Sequence, residues 1–283
     1  MSKWLAVVLV LAIASTVLAG CQADIRPAVL TDGSSAADSE ARGRELLEQA
    51  FQAAGGPQLE SFTRAEVEMT DRWQGFVGRL ANPWPAREVR IVMDLGLGTR
   101  TARARFIEPE PGRIWGVEAD VPYEVIPGEP LDRDPDDNRR FLVRAIQYFL
   151  EYTARSREHS YVRYAGPEVI DGQSYERVYG TWGDGDPNDA FDQYVSYINP
   201  TTGRIEKIFY TVRDAAGFAT GAIHFEDFRT IQGVSVPFLM SVTFEPDEEP
   251  EDYVHRMTVH RAKFSHAPPP ARVTELGEDP SGS

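Results

Sequence analysis

Thr63-Arg64-Ala65-Glu66-Val67-Glu68-Met69-Thr70-Asp71-Arg72-Trp73 places Ala65, Val67, Met69 and Trp73 on one parity and Arg64, Glu66, Glu68 and Arg72 on the other. A period of two marks a strand with one apolar and one solvated face, the unit from which antiparallel sheets are made. The pattern repeats downstream. Val89, Ile91, Met93 and Leu95 alternate with Glu88, Arg90 and Asp94, and Ala102, Ala104 and Phe106 with Thr101, Arg103 and Arg105. A weaker strand over 113–119 carries Trp115 and Val117 on one face. Further strands are expected over 161–164, 175–182, 193–199, 204–213, 219–230, 236–244 and 253–264. Asp171-Gly172 and Gln232-Gly233 are tight-turn pairs, and Gly203 closes a longer turn that starts at Asn199-Pro200.

Two helices interrupt the strands. Leu46, Leu47, Ala50, Phe51 and Ala54 recur at helical spacing, with Asp38 or Ser39 as N-cap and Gly55-Gly56-Pro57 as the stop. Asp134-Pro135-Asp136-Asp137 supplies a capping acid, an N1 proline and first-turn carboxylates for a second helix over 135–157. Its apolar stripe is Phe141, Leu142, Ala145, Ile146, Phe149, Leu150 and Tyr152. The fold class is therefore mainly β (α+β), with about eleven antiparallel strands and two amphipathic helices. A sheet that wide curls under its own twist, and the helices need an apolar surface to lie on. A half-barrel with both helices in its concave face satisfies both demands. A closed barrel plugged by the helices and a sandwich are the alternatives.

The ends of the chain differ in composition. In residues 1–20 a single charge, Lys3, precedes an apolar run from Leu5 to Val17, too short to span a bilayer. This is the form of a secretory signal peptide. Leu18-Ala19-Gly20-Cys21 resembles the lipobox of bacterial lipoproteins. That resemblance implies cleavage before Cys21, acylation of its thiol and new amine, and membrane anchoring through it. Residues 21–38 read as a flexible tether, 39–266 as the folded domain, and 267–283, with Pro268-Pro269-Pro270, as a disordered tail. Cys21 is the only cysteine, so a lipidated chain has no thiol left for catalysis or disulfides.

The net charge of −15 argues against nucleic acid, whose phosphates need clustered Lys and Arg. It equally disfavours electrostatic docking on anionic headgroups. Apart from Lys3, lysine occurs only at Lys207 and Lys263.

The chain also resembles the LolA/LolB half-barrel superfamily of periplasmic lipoprotein and hydrophobic-ligand carriers. The resemblance is carried by the helix over 44–54 running into Gly55-Gly56, by Tyr194-Val195-Ser196-Tyr197-Ile198-Asn199-Pro200-Thr201-Thr202-Gly203-Arg204-Ile205, and by 228–237 with Gly233 and Val236-Pro237. Residues 109–135, acidic and Pro-rich, have no place in that pattern. The resemblance implies an acyl-binding cavity between sheet and helices. Val67, Met69, Trp73, Ile91, Met93, Phe106 and Trp115 are expected to form one wall, and Phe141, Ile146 and Phe149 the other.

Polar constellations are weak by comparison. Asp184, Asp186, Asn188 and Asp189 lack the glycine and glutamate that an EF-hand needs. His224 and Glu226 share a strand face without a third ligand, and His255 and His260 point to opposite faces. No H-E-x-x-H, G-x-S-x-G, Walker or dinucleotide motif occurs. The expectation is a monomeric, non-catalytic lipoprotein without cofactor or metal. It would be anchored in the cell envelope through Cys21, at the outer membrane and facing the periplasm, and bind an acyl chain or a lipoprotein's lipid. Gln22 after the cysteine, in place of aspartate, favours the outer membrane. The alternative is a structural or interaction lipoprotein whose cavity its own side chains fill.

Overall fold

The structure, a computed structural model, describes residues 22–31, 36–132, 137–188, 190–213 and 217–270. The signal peptide over 1–20, Cys21 and most of the expected tail lie outside them. Twelve strands form one antiparallel sheet: β1 (Arg64–Trp73), β2 (Glu88–Gly96), β3 (Thr101–Glu108), β4 (Ile114–Glu118), β5 (Val121–Val125), β6 (Tyr161–Ile170), β7 (Gln173–Thr181), β8 (Gln193–Ile198), β9 (Ile205–Thr211), β10 (Thr220–Ile231), β11 (Val234–Thr243) and β12 (His255–Ser265). Their spatial order is β5-β4-β3-β2-β1-β12-β11-β10-β9-β8-β7-β6. Two meanders are thus joined at their centre by β1 and β12, paired from Arg64↔Ser265 to Trp73↔His255. The sheet is open, its edges being β5 and β6, as a half-barrel requires. The strand beyond the expected eleven is β5, inside the segment that fits no element of the carrier pattern.

Alternation does what it predicts. Ala65, Val67 and Met69 are buried on the concave face, and Glu66 and Glu68 lie on the convex one. There Asp94 is fully buried under Arg64 and Arg103, at 2.7 Å from each. Register shifts at Glu68/Met69, Arg90/Ile91, Tyr164/Pro167 and Tyr197/Ile198 add local twist, which curls the sheet. Both edges are blunted. Glu124 and Asp132 exchange backbone hydrogen bonds of 2.8 and 3.1 Å, so the chain after β5 covers that edge. The β6 edge carries Pro167, which has no amide to offer a further strand.

Among the described residues six α-helices accompany the sheet: α1 (Ala28–Thr31), α2 (Ala36–Ala53), α3 (Gly56–Ser61), α4 (Gly75–Ala81), α5 (Asp137–Leu150) and α6 (Tyr152–Arg155). α2 packs Leu46, Leu47, Ala50 and Phe51 into the concave side against β6 and β7. It ends where expected. Gly55, at φ +74°, sits where a Cβ would lie 2.1 Å from the Gly233 carbonyl oxygen, and Ala54 O accepts from Ser235 N at 2.9 Å. α5 crosses the same face over β3, β4 and β5. The helix expected over 135–157 is broken at Glu151, whose buried carboxylate accepts from Gly98 N (3.1 Å) and Gln147 Nε2 (2.9 Å) and pairs with Arg155 (2.9 Å).

Residues 21–38 are expected to be a free tether, and their described part departs from that. Ala23 N donates to Gly217 O (2.8 Å), Ile25 N to Gln193 Oε1 (2.9 Å), and Arg213 Nη2 to Ala23 O (2.6 Å). Ile25 and Leu30 then pack on a convex-face cluster of Ile170, Tyr175, Tyr179, Val195 and Tyr197. Two apolar side chains in a polar stretch suffice because the sheet offers them a preformed aromatic surface. At the other end Ala267 O still accepts from Thr63 Oγ1 at 2.5 Å, so the ordered body runs past 266.

Candidate functional site

The concave face is divided in two by what lies on it. Over β1–β4 it is filled. Trp84, from the connection between β1 and β2, stacks on Trp115 with ring centres 4.8 Å apart and meets Phe106 edge-on at 5.5 Å. Its Nε1 donates to Asp71 Oδ2 at 2.7 Å, and Trp115 Nε1 donates to Glu124 Oε1 at 2.8 Å. Val67, Met69, Ile91, Met93, Phe106, Trp115 and Ile146 are all buried in this continuous core. Trp73 is partly buried at its margin, stacked on His255 at 4.2 Å.

Over β7–β9 the face is hollow. A cavity of about 560 Å³ lies between α5 and these strands, within the range of small-molecule sites. Phe141, Arg144, Ala145, Tyr148 and Phe149 come from α5, and Trp182, Tyr194 and Tyr210 form the facing wall. Arg100 and Asp120 contribute from one rim, and Ala190, Asp192, Thr211 and Val212 from the other. Of the ten residues expected to line a cavity, Phe141 and Phe149 line this one. The other eight belong to the filled half or its margin. The wall that was not anticipated comes from β8 and β9, where period two sets Tyr194 with Ser196 and Ile198. That signal was in the sequence; the insertion of Trp84, which moves the hollow away from β1–β4, was not.

The aromatic wall is held from behind. Tyr148 packs on Tyr194 (5.1 Å) and Trp182 (5.7 Å), and Phe149 on Tyr210 (5.0 Å). His159 stacks on Tyr194, meets Trp182 edge-on at 4.4 Å, and hydrogen bonds through Nε2 to Tyr148 Oη at 3.1 Å. A Cβ on Gly180 would come within 2.1 Å of His159 Nδ1, so glycine there admits the ring. Burial drives the His159 pKa down to about 3, which keeps the imidazole neutral. Burial likewise pushes the Tyr148, Tyr194 and Tyr210 hydroxyls above their ordinary range. The charges at the mouth are engaged by protein groups. Arg144 faces Asp120 at 3.5 Å and donates to Gln147 Oε1 at 2.6 Å, and Asp192 Oδ1 accepts from Thr211 Oγ1 (2.9 Å) and Arg213 N (2.8 Å). Desolvation lowers the Arg144 pKa. The arrangement is an apolar, aromatic floor under an ion-paired mouth, suited to holding an apolar ligand by surface burial.

The polar constellations stay apart from it. His224 faces the convex side, its Nε2 2.8 Å from Thr243 Oγ1, and Asp186 pairs with Arg26 at 2.8 Å. Asp189 lies outside the described residues. Among the described residues no group of three or more His, Cys, Asp or Glu side chains could hold a metal ion.

Comparison with solved structures places the architecture. A DUF1329 family protein from Desulfovibrio piger matches 80% of this chain and 93% of its own at TM-score 0.54 and 13% identity. The fold is LolA-like. A LolA superfamily protein from Nitrosomonas europaea matches at TM-score 0.51 and 13% identity, covering 80% of this chain and 94% of its own. A putative outer membrane lipoprotein-sorting protein domain from Vibrio parahaemolyticus matches at TM-score 0.51 and 11% identity, over 80% and 93% of the two chains. No family model and no curated protein matches the sequence. At these identities the likeness is one of fold, and the LolA-like half-barrel carries its own side chains in the cavity.

Proposed function

We propose that this chain is a lipoprotein of the bacterial envelope, anchored through Cys21, that binds an acyl chain or another lipoprotein's lipid without chemistry. The observation that supports this most is the cavity of about 560 Å³ under α5, with its floor of Tyr148, Trp182, Tyr194 and Tyr210. Each ligand methylene taken from water there contributes about 0.8 kcal/mol. Gln22 after the anchor favours placement at the outer membrane, facing the periplasm, and a role in lipoprotein sorting, the description carried by the Vibrio neighbour, is one use of such a pocket.

The test is mass spectrometry of lipids co-purifying with the protein, with displacement of a bound hydrophobic dye by fatty acid. Ala145→Trp puts an indole into the cavity from α5 and should abolish both signals while the thermal unfolding midpoint stays near that of the parent. The second reading, an interaction lipoprotein with a self-filled core, draws support from the packing of Trp84 against Trp115 and Phe106. Purified protein without lipid above background and without dye competition would select it.

A further inference from the structure

Strand polarity sorts the connections of the sheet onto two rims. One rim carries the links β1–β2, β3–β4, β5–β6, β7–β8, β9–β10 and β11–β12, as Trp73↔His255, Arg90↔Glu108, Ile114↔Val125, Tyr161↔Thr181, Thr181↔Gln193 and Thr211↔Thr220 in register require. Six of the nine large, well-exposed apolar side chains among the described residues lie in these links: Phe76, Val77, Leu80, Phe191, Phe218 and Phe244. Phe76 and Leu80 are 75% and 79% exposed on α4, and Phe218 is 63% exposed. Chance and surface hydrophobicity scatter such residues singly; grouping on one rim marks a contact.

The same rim receives the start of the described chain. Ala23 is bound to Gly217, the neighbour of Phe218, and to Arg213. In the sequence Cys21 is two residues before Ala23. The acidic link after Phe244 is folded back along the convex face, where Pro246 O accepts from Lys207 Nζ at 2.8 Å. Lys207 is four residues below the end of β9, or roughly 13 Å at strand rise.

We propose that this rim is the bilayer contact: Phe76, Leu80, Phe191 and Phe218 enter the headgroup region of the membrane that holds the Cys21 acyl chains, fixing the orientation of the half-barrel. This rests on the lipid-anchor reading of Cys21 and deepens it. The occupant is a lipid surface because the described chain, which starts one residue after the proposed anchor Cys21, is bound at the patch through Ala23, and an apolar contact suits a protein of net charge −15. The cavity reaches this rim at Ala190, Asp192 and Val212, so a lipid could pass between bilayer and pocket without crossing open water.

With the Cys21 thiol acylated, a cysteine introduced anywhere else is the sole free thiol. Full-length lipidated F76C, L80C and F218C, and the opposite-rim controls V121C and V169C, are labelled with an environment-sensitive dye and reconstituted into phosphatidylcholine vesicles. Quenching by lipids brominated along the acyl chain should be several-fold stronger at 76, 80 and 218 than at 121 and 169. Vesicles that float with their protein but quench all five labels equally overturn the orientation and leave the anchor standing. Quenching at 218 alone, which nearness to Cys21 would give by itself, also overturns it. Protein that fails to float overturns the anchor, and the orientation with it. Lipid occupancy of the cavity is measured separately and is untouched by any of these outcomes.

Discussion

His159 shows what one side chain can do to the pH response of the whole domain. Its folded pKa, about 3, lies below the ordinary 6.5 because burial penalises the imidazolium. The folded state therefore binds fewer protons than the unfolded one. The stability this represents is complete above 6.5 and is lost as pH falls through the window down to about 3, by a few kcal/mol in order of magnitude. His224, lowered to about 4 by burial, adds in the same sense. Glu151 and Glu226, whose pKa values burial raises, act in the opposite sense. His159→Phe keeps a ring beside Gly180 and removes one titration. The fall in melting temperature between about pH 7 and about pH 4 should be smaller than in the parent, the other groups being common to both. An unchanged pH profile would show that the ring is not sealed in.

Among the elements, the β1–β2 connection has the largest effect on the site. Trp84 fills the concave half over β1–β4, so Trp84→Ala should cost about 3–5 kcal/mol in urea unfolding and open new apolar volume. Trp84→Phe keeps most of the packing but removes the Nε1 donor to buried Asp71, at a smaller cost of about 1–3 kcal/mol. This element was hidden in the sequence for a physical reason. Asn82-Pro83-Trp84-Pro85 has the composition of a surface turn, and two glycines, Gly75 and Gly78, mask the short helix before it. β5 was hidden likewise, a five-residue strand with Pro122 inside it. The strands with long alternation were legible, and so were the stop at Gly55 and the apolar stripe of α5. Period two tells which face a residue takes; it does not tell which part of a curved face another segment covers. For that reason the seven strand residues expected to line a cavity lie on the concave face but outside the hollow, and of the three helix residues only Phe141 and Phe149 line it.

At the scale of the molecule, the half-barrel is two meanders zipped at β1–β12, with the α2 and α5 helices inside and the leader segment 22–31 outside. The leader is the part whose composition misled, since Ile25 and Leu30 are its main packing contacts. Ile25→Asp should release it. Amide exchange at Ala23 and Ile25 would then become fast while protection in β7–β10 is retained, as expected for a local opening. Loss of protection throughout the sheet would show instead that the segment is integral to the fold.

The hydrogen bond from Ala23 to Gly217 joins two segments of the chain that lie far apart in sequence. Its site exists only after β8, β9 and β10 have paired, and closing so long a loop is slow compared with local structure. Seating of residues 22–31 is therefore a late step in folding, one that waits for the sheet beneath it to be complete.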